Sequence, residues 1–298
     1  MVTIQEAVVT NAAGMVKTLA EARQLLRSAV TRITLGSFTM SARPGNLGTS
    51  YYYDDVSETA WNSKGLNNAG FQDLLEWLPV IHEECKQAGK QLAVSLAGFS
   101  PEEYGRMAFW TAPSCDIIEI NAGCGNVWKD NVQKPIPSYV PELLDVILRQ
   151  VENDMYMPRE VSVKISPVPD DVIPALANVL LAHSCVAEVI GTNTEPNQKP
   201  EPDKNGNERL MWRESDEAEW KHTGGMSGAK LRFDSLRVLT CLRPLIPKLR
   251  YIQCGGVSKG AHLLRALLLE ADGIAVGTAF FEHGASIFSD IYAEAVGA

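Results

Sequence analysis

The chain has 298 residues, 45% of them apolar and 21% charged, with a formal net charge of −9. That composition is that of a soluble globular protein, long enough for one large domain or two ordinary ones. The acidic balance, with no basic stripe, argues against nucleic acid as a partner, and no apolar run reaches the length of a membrane span.

The start, Met-Val-Thr-Ile-Gln-Glu, has no basic region followed by an apolar stretch, so no signal peptide is expected. The six cysteines (85, 115, 124, 185, 241 and 254) contain no Cys-x-x-Cys pair, and the five histidines have no metal spacing. No metal centre, iron–sulfur cluster or disulfide framework is expected, and a reduced, cytoplasmic protein is.

Short apolar runs alternate with segments of helical period. Strands are expected near Ala7–Thr10, Arg32–Leu35, Gln91–Ser95, Ile117–Ile120, Val161–Ile165, Ala187–Ile190, Tyr251–Gln253 and Gly273–Ala275. Helical patterns lie between them, among them Phe71–Lys86, Tyr139–Val151, Asp171–His183, Leu231–Leu242, Gly260–Glu270 and Phe280–Val296. Eight such units point to a single α/β domain over residues 1–298, a (β/α)8 TIM barrel, with a doubly wound sheet as the competing arrangement. Two connections, Thr39–Ala69 and Thr194–Gly224, are too long for turns and follow strands. They are expected to be long loops, functional lids or disordered segments, at the C-terminal face of the barrel.

Chemistry concentrates at strand ends. Ile117 to Asn126 reads Ile-Ile-Glu-Ile-Asn-Ala-Gly-Cys-Gly-Asn, an apolar run that delivers one thiol and two carboxamides to a small volume. Cys124 is either a buried core thiol or, near its pKa, a proton-transfer base. Lys164 interrupts the apolar run Val-Ser-Val-Lys-Ile-Ser-Pro, and a charge there requires a partner, an internal carboxylate or an anionic ligand. Asn193 and Thr194 follow the next strand as turn residues or ligand contacts. The final two strand ends, Cys254–Gly260 and Val276–Thr278, are glycine-rich. Tight turns or a phosphate cradle account for both, and a phosphorylated cofactor such as FMN suits the pair.

These elements, in this order, resemble the dihydroorotate dehydrogenase family of FMN-dependent barrels along nearly the whole chain. The resemblance rests on Asn-Ala-Ala-Gly (11–14), Gly-Ser-Phe-Thr with Arg-Pro-Gly-Asn (36–39, 43–46), Asn-Ser-Lys-Gly-Leu-Asn-Asn-Ala-Gly (62–70) and Ser-Leu-Ala-Gly (95–98). It continues through Asn-Ala-Gly-Cys-Gly-Asn (121–126), Val-Lys-Ile-Ser-Pro (163–167), Thr-Asn-Thr (192–194), Thr-Gly-Gly-Met-Ser-Gly (223–228), Gly-Gly-Val-Ser-Lys-Gly (255–260) and Val-Gly-Thr (276–278).

The resemblance implies FMN held by Ala13, Gly14, Ser37, Lys164, Gly228, Gly255, Gly256, Gly277 and Thr278. It implies substrate on Asn62, Gly65, Leu66, Asn121, Asn126, Asn193 and Thr194, with Cys124 as the base that takes a proton from dihydroorotate. Orotate formation in pyrimidine synthesis, fumarate as acceptor and a homodimer follow from the soluble branches. An NAD-linked partner subunit is the other acceptor arrangement.

Three departures stand out. Soluble members usually carry Lys where this chain has Gly36, and Lys17 is read as supplying that cation. The family's Ser and Pro beside the Cys are both glycine here, Gly123 and Gly125, which is expected to loosen the loop and enlarge the pocket. The 194–224 excursion lacks the family sequence. An FMN oxidoreductase or ene-reductase acting on a different small cyclic amide or unsaturated acid is therefore the alternative function. A dihydrouridine synthase is disfavoured by the acidic charge, and a non-catalytic phosphate-binding barrel is the remaining reading.

Overall fold

The computed structural model describes residues 2–125, 128–129 and 132–297. Eight parallel strands close into a barrel: Val8–Asn11, Arg32–Phe38, Gln91–Leu96, Ile117–Asn121, Glu160–Ile165, Val186–Gly191, Arg250–Cys254 and Gly273–Val276. Each expected strand is present, within a few residues at its ends, and the closed order excludes the doubly wound sheet.

The strands form from β-branched runs whose alternate residues face opposite ways. Outward residues such as Ile33, Val94, Ile118, Val163 and Val189 are buried under the surrounding helices in the main core. The inward set is polar toward the floor, where Arg32, Thr34, Glu119, Ser162 and Glu188 are all buried, and Lys164 is buried higher, level with Asn121. Thr10 and Thr34 share a hydrogen bond of 2.9 Å across strands one and two. Higher up, Ala12, Ile190, Ile252, Cys254 and Ala275 form a small separate apolar cluster.

Local signals set the helix ends. Thr18 caps the helix Leu19–Leu26, accepting from the Glu21 N–H at 3.2 Å while Glu21 accepts from the Thr18 N–H at 3.0 Å. That reciprocal cap fixes Lys17 just ahead of the helix, with its own N–H also on Glu21 at 2.7 Å. The single helix expected over Phe280–Val296 is divided: Thr278–His283 ends at Gly284, and Ser286–Gly297 follows. Gly284 has φ +73°, a backbone angle that favours glycine, and its N–H closes on Phe280 O at 2.9 Å.

The two expected loops contain sheet instead. Tyr51–Asp54, Thr59–Asn62, Gly224–Gly228 and Glu195–Gln198 form an antiparallel four-stranded sheet, and Leu47–Thr49 pairs with Met211–Arg213. Trp61, Leu210 and Trp212 pack as a small core of this cover, and Trp212 Nε1 donates to Thr223 O at 2.7 Å. Among the described residues, no helix is long and apolar enough to cross a membrane.

Candidate active site

The C-terminal strand ends, the small sheet and the loop Asn62–Gly70 enclose a cavity of about 260 Å3. Every described residue named above for cofactor, substrate or catalysis lines it: Ala13, Gly14, Lys17, Ser37, Asn62, Gly65, Leu66, Asn121, Cys124, Lys164, Asn193, Thr194, Gly228, Gly255, Gly256, Gly277 and Thr278. Asn126 lies outside the described residues. The wall also takes in Tyr51, Tyr53, Lys64, Asn67, Thr192, Ser227, Cys254 and Ser258. Most of these stand inside the quoted motifs, where position in the motif was the available signal. Tyr51 and Tyr53 come from the small sheet and carried none.

One end of the cavity holds the thiol. Cys124 is half-buried on the turn after the fourth strand. Asn121, at that strand's end, donates through Nδ2 to Ser37 Oγ at 2.8 Å, and its Oδ1 accepts from Asn193 Nδ2 at 3.2 Å. The Asn193 Oδ1 in turn accepts from the Thr194 N–H at 2.9 Å, so three strand ends share one amide network.

Among the described residues, Lys17 and Arg43 interact electrostatically with Cys124. The Lys17 ammonium donates to Asn67 O and Oδ1 at 2.5 and 3.1 Å. Burial, then the like charge of Lys64, lowers its pKa to about 8, against smaller upward pulls from Glu21 and Cys124. Arg43 donates through Nε to Gly65 O at 2.9 Å and lies over the Phe99 ring at 4.9 Å, and the charge on Cys124 acts on it as well. Nearby cations favour a thiolate. Lys64 lies 3.8 Å from the Phe281 ring centre and 4.9 Å from that of Tyr51.

The loop carrying Gly65 and Leu66 is held in shape by Asn68. Its Nδ2 donates to Leu66 O at 2.6 Å and Thr39 Oγ1 at 2.9 Å, and its Oδ1 accepts from the Gly70 N–H at 2.9 Å. Gly36 cannot be read as a simply missing lysine. It has φ +95°, and an added Cβ would stand 2.5 Å from Ser95 O and 2.8 Å from Phe38 N. With this backbone the position admits no side chain.

The opposite end is glycine-rich. Gly255 and Gly256 have φ +117° and +72°, and a Cβ on Gly256 would meet Arg232 Cβ at 2.6 Å. Among the described residues, the amides of Gly256 and Gly277 have no hydrogen-bond acceptor. Ser258 Oγ and Thr192 Oγ1 are buried and equally unpartnered. His262 accepts from the Ser258 N–H at 3.1 Å, and burial, with Arg232 and Lys259, brings its pKa down to about 4. Unsatisfied buried donors along a cavity wall point to a ligand rich in acceptors.

The glycines beside Cys124 do not enlarge the cavity, contrary to expectation. A Cβ on Gly123 would lie 2.8 Å from Ile165 C and Ser166 N and 2.9 Å from Asn193 Cβ; one on Gly125 would lie 2.7 Å from Pro196 Cβ. The space is occupied by the next two strand ends and by the 194–224 excursion, which close directly on the thiol loop. Restoring a side chain with Gly123→Ser is therefore expected to destabilise the fold by about 1–3 kcal/mol, through forced displacement of the Ile165–Ser166 backbone. Denaturant unfolding reads this directly, and unchanged stability would show that the two loops yield without cost.

A closed barrel that gathers a thiol, nearby cations and glycine-rich loops on its C-terminal face is the architecture of an enzyme site. The dihydroorotate dehydrogenase family model matches residues 4–296, and the chain belongs to that family. It is 28% identical over 288 residues to a dihydroorotate dehydrogenase (fumarate) of Trypanosoma cruzi, covering 94% of this chain and 85% of that one. The catalytic subunit of a dihydroorotate dehydrogenase B (NAD(+)) from Oceanobacillus iheyensis is 26% identical over 240 residues, 76% of this chain and 70% of the relative. The fold matches a dihydroorotate dehydrogenase from Eimeria tenella, solved with ferulenol, at a TM-score of 0.82 and 17% identity over 99% of this chain and 83% of that one.

Proposed function

We propose that this protein oxidises dihydroorotate to orotate in pyrimidine synthesis, with FMN in the cavity, Cys124 as the base and fumarate as the acceptor. The observation that carries the reading is one cavity holding a cation-flanked thiol at one end and unpartnered amides and hydroxyls at the other. Gly255, Gly256, Gly277 and Thr278 would hold the phosphate, and Lys164 would face the ring system. FMN bound there supplies a two-electron acceptor for the hydride from ring carbon 6 of dihydroorotate.

The chain's own groups do the rest. The Cys124 thiolate takes the proton from ring carbon 5. Asn62, Asn121 and Asn193 present amide donors and acceptors to the ring, and a substrate lacking the matching groups would leave them unpaired. Lys17 supplies the positive charge for the carboxylate, a place Gly36 cannot fill. The space beside Gly123 and Gly125 is filled, so these two glycines do not favour a different ring. A homodimer remains part of this reading and is tested by sedimentation.

Adding dihydroorotate to the FMN-loaded protein without oxygen should bleach the flavin absorbance, and fumarate should restore it. Flavin that stays oxidised would overturn the substrate assignment. Bleaching that NAD but not fumarate reverses would overturn the acceptor.

The lowered pKa of Lys17 sets a pH dependence. The group is charged below about 8 and neutral above. Affinity for orotate, an anion, is expected to fall as pH rises through that region. Lys17→Met should bind orotate weakly at all pH values and lose this inflection; an inflection retained in the variant would assign it to another group.

A further inference from the structure

Glu119 is a carboxyl that the proposed reaction does not use, 1% exposed inside the barrel. It precedes Asn121 by two residues on the same strand and so points into the barrel on the same face, one layer deeper. A continuous line of hydroxyls joins it to the cavity. Glu119 Oε1 accepts from Ser95 Oγ at 2.7 Å, and Ser95 Oγ lies 2.9 Å from Ser37 Oγ, with either able to donate. Ser37 lines the cavity and accepts from Asn121 Nδ2 at 2.8 Å.

The charges around Glu119 are few. Arg32 and Glu188, from the second and sixth strands, are bound to each other at 2.6 and 2.9 Å. Cys254, from the seventh strand, interacts with both Glu119 and Lys164. Lys164, from the fifth strand, is 4% exposed and lines the cavity, and its ammonium makes no hydrogen bond or ion pair with any described residue. Burial raises the Glu119 pKa; Lys164 opposes this most, then the Ser95 hydrogen bond, while Glu188 adds to the rise and Arg32 subtracts.

Lys164 therefore stands between Glu119 below and the cavity above, and one ammonium cannot balance two anions. When a further negative charge enters the cavity that Lys164 lines, a proton on Glu119 relieves the excess charge at least cost. We propose that Glu119 is a proton store for the cavity, a positioning residue that takes up a proton through Ser37 and Ser95 when an anion enters the cavity and returns it by the same path. The proposal rests on the proposed function, in which that anion is orotate, with its carboxylate at Lys17. On return, the Glu119 O–H bond breaks as Ser95 Oγ gains that proton. Ser95 passes its own proton to Ser37, and Ser37 passes its own to the group in the cavity. The net change is one proton moved, and the carboxylate left behind is balanced by Lys164.

Infrared spectroscopy of the full chain, following the carboxylic acid carbonyl stretch across pH with and without orotate, tests this. A carboxylic acid band should persist above the ordinary glutamate range of about 4.3. It should be absent in Glu119→Gln and retained in Cys124→Ser. Bound orotate, verified by calorimetry, should raise its midpoint by about one unit. Ser37→Ala and Ser95→Ala keep the acid, and should slow the band's response to a pH jump with orotate bound by about tenfold or more. A purely structural serine would leave that rate alone. Ligand-free protein with no such band, a band surviving Glu119→Gln, or bound orotate that leaves the midpoint unmoved would each overturn the store. Orotate that gives no binding heat would instead overturn the proposed function, and the ligand-free titration would still decide for or against the buried acid.

Discussion

Cys124→Ala is expected to lower turnover with dihydroorotate by about 10²–10⁴-fold, the usual worth of a positioned proton acceptor. Bound FMN and protein stability should change little. The thiol is half-buried at a strand end, not packed in the core, so its removal opens no cavity in the hydrophobic interior. The loss should fall on the reduction of the flavin by dihydroorotate. Orotate binding should be spared, because Asn62, Asn121, Asn193 and Lys17 are untouched. Lys17 and Arg43, cations that act on the sulfur, make a thiolate attainable in a way a serine hydroxyl is not. Cys124→Ser should therefore regain only part of the rate, and mainly at high pH. A stopped-flow trace of flavin bleaching separates the chemical step from release. Bleaching at the native rate in Cys124→Ala would remove Cys124 from the chemistry.

The barrel was legible because its strands are short, β-branched and buried, a pattern that survives in one dimension. Lys164 was legible for the opposite reason, as a charge inside such a run. Of the two partners expected for it, an internal carboxylate or an anionic ligand, the fold supplies Glu119 as a carboxylate that interacts with it electrostatically, with no ion pair among the described residues. What stayed hidden depends on contacts between distant segments. Leu47–Thr49 and Met211–Arg213 read as loop because neither is long enough to declare itself, and only their pairing makes them sheet. Gly36 read as a lost lysine; its positive φ and the approach of Ser95 O are properties of the folded backbone. Gly123 and Gly125 read as added room because bulk was missing. The neighbours that fill that room, Ser166, Asn193 and Pro196, come from other strand ends. Cys254 drew no role from its motif, and it proves to be a wall of the cavity that interacts with Lys164 and Glu119.

Beneath the site, the barrel floor is tied by one buried ion pair, and Glu188→Leu is expected to cost about 3–5 kcal/mol of stability. Arg32 meets Glu188 through two parallel bonds, Nη1 to Oε1 at 2.6 Å and Nη2 to Oε2 at 2.9 Å, with side chains 1% and 0% exposed. Ser162 Oγ and Arg250 Nε add bonds at 3.0 and 3.3 Å. The cost arises because Arg32 cannot shed its proton and would be left as a buried cation with no anion against it. Arg32→Met/Glu188→Leu should recover most of the loss, since two apolar side chains fill the same space without a stranded charge. The pair also has a pH signature. Burial works to raise the Glu188 carboxyl, but the charge and hydrogen bonds of Arg32, with Arg250 and Ser162, outweigh it and hold the pKa below the ordinary value. A depressed carboxylate contributes stability that is present above its unfolded pKa and lost as pH falls toward its folded one. Urea unfolding across the acid range should show that loss in the native chain and a shallower one in the double variant. A Glu188→Leu protein as stable as the native one would mean that water reaches Arg32, and that the floor of the barrel is not closed.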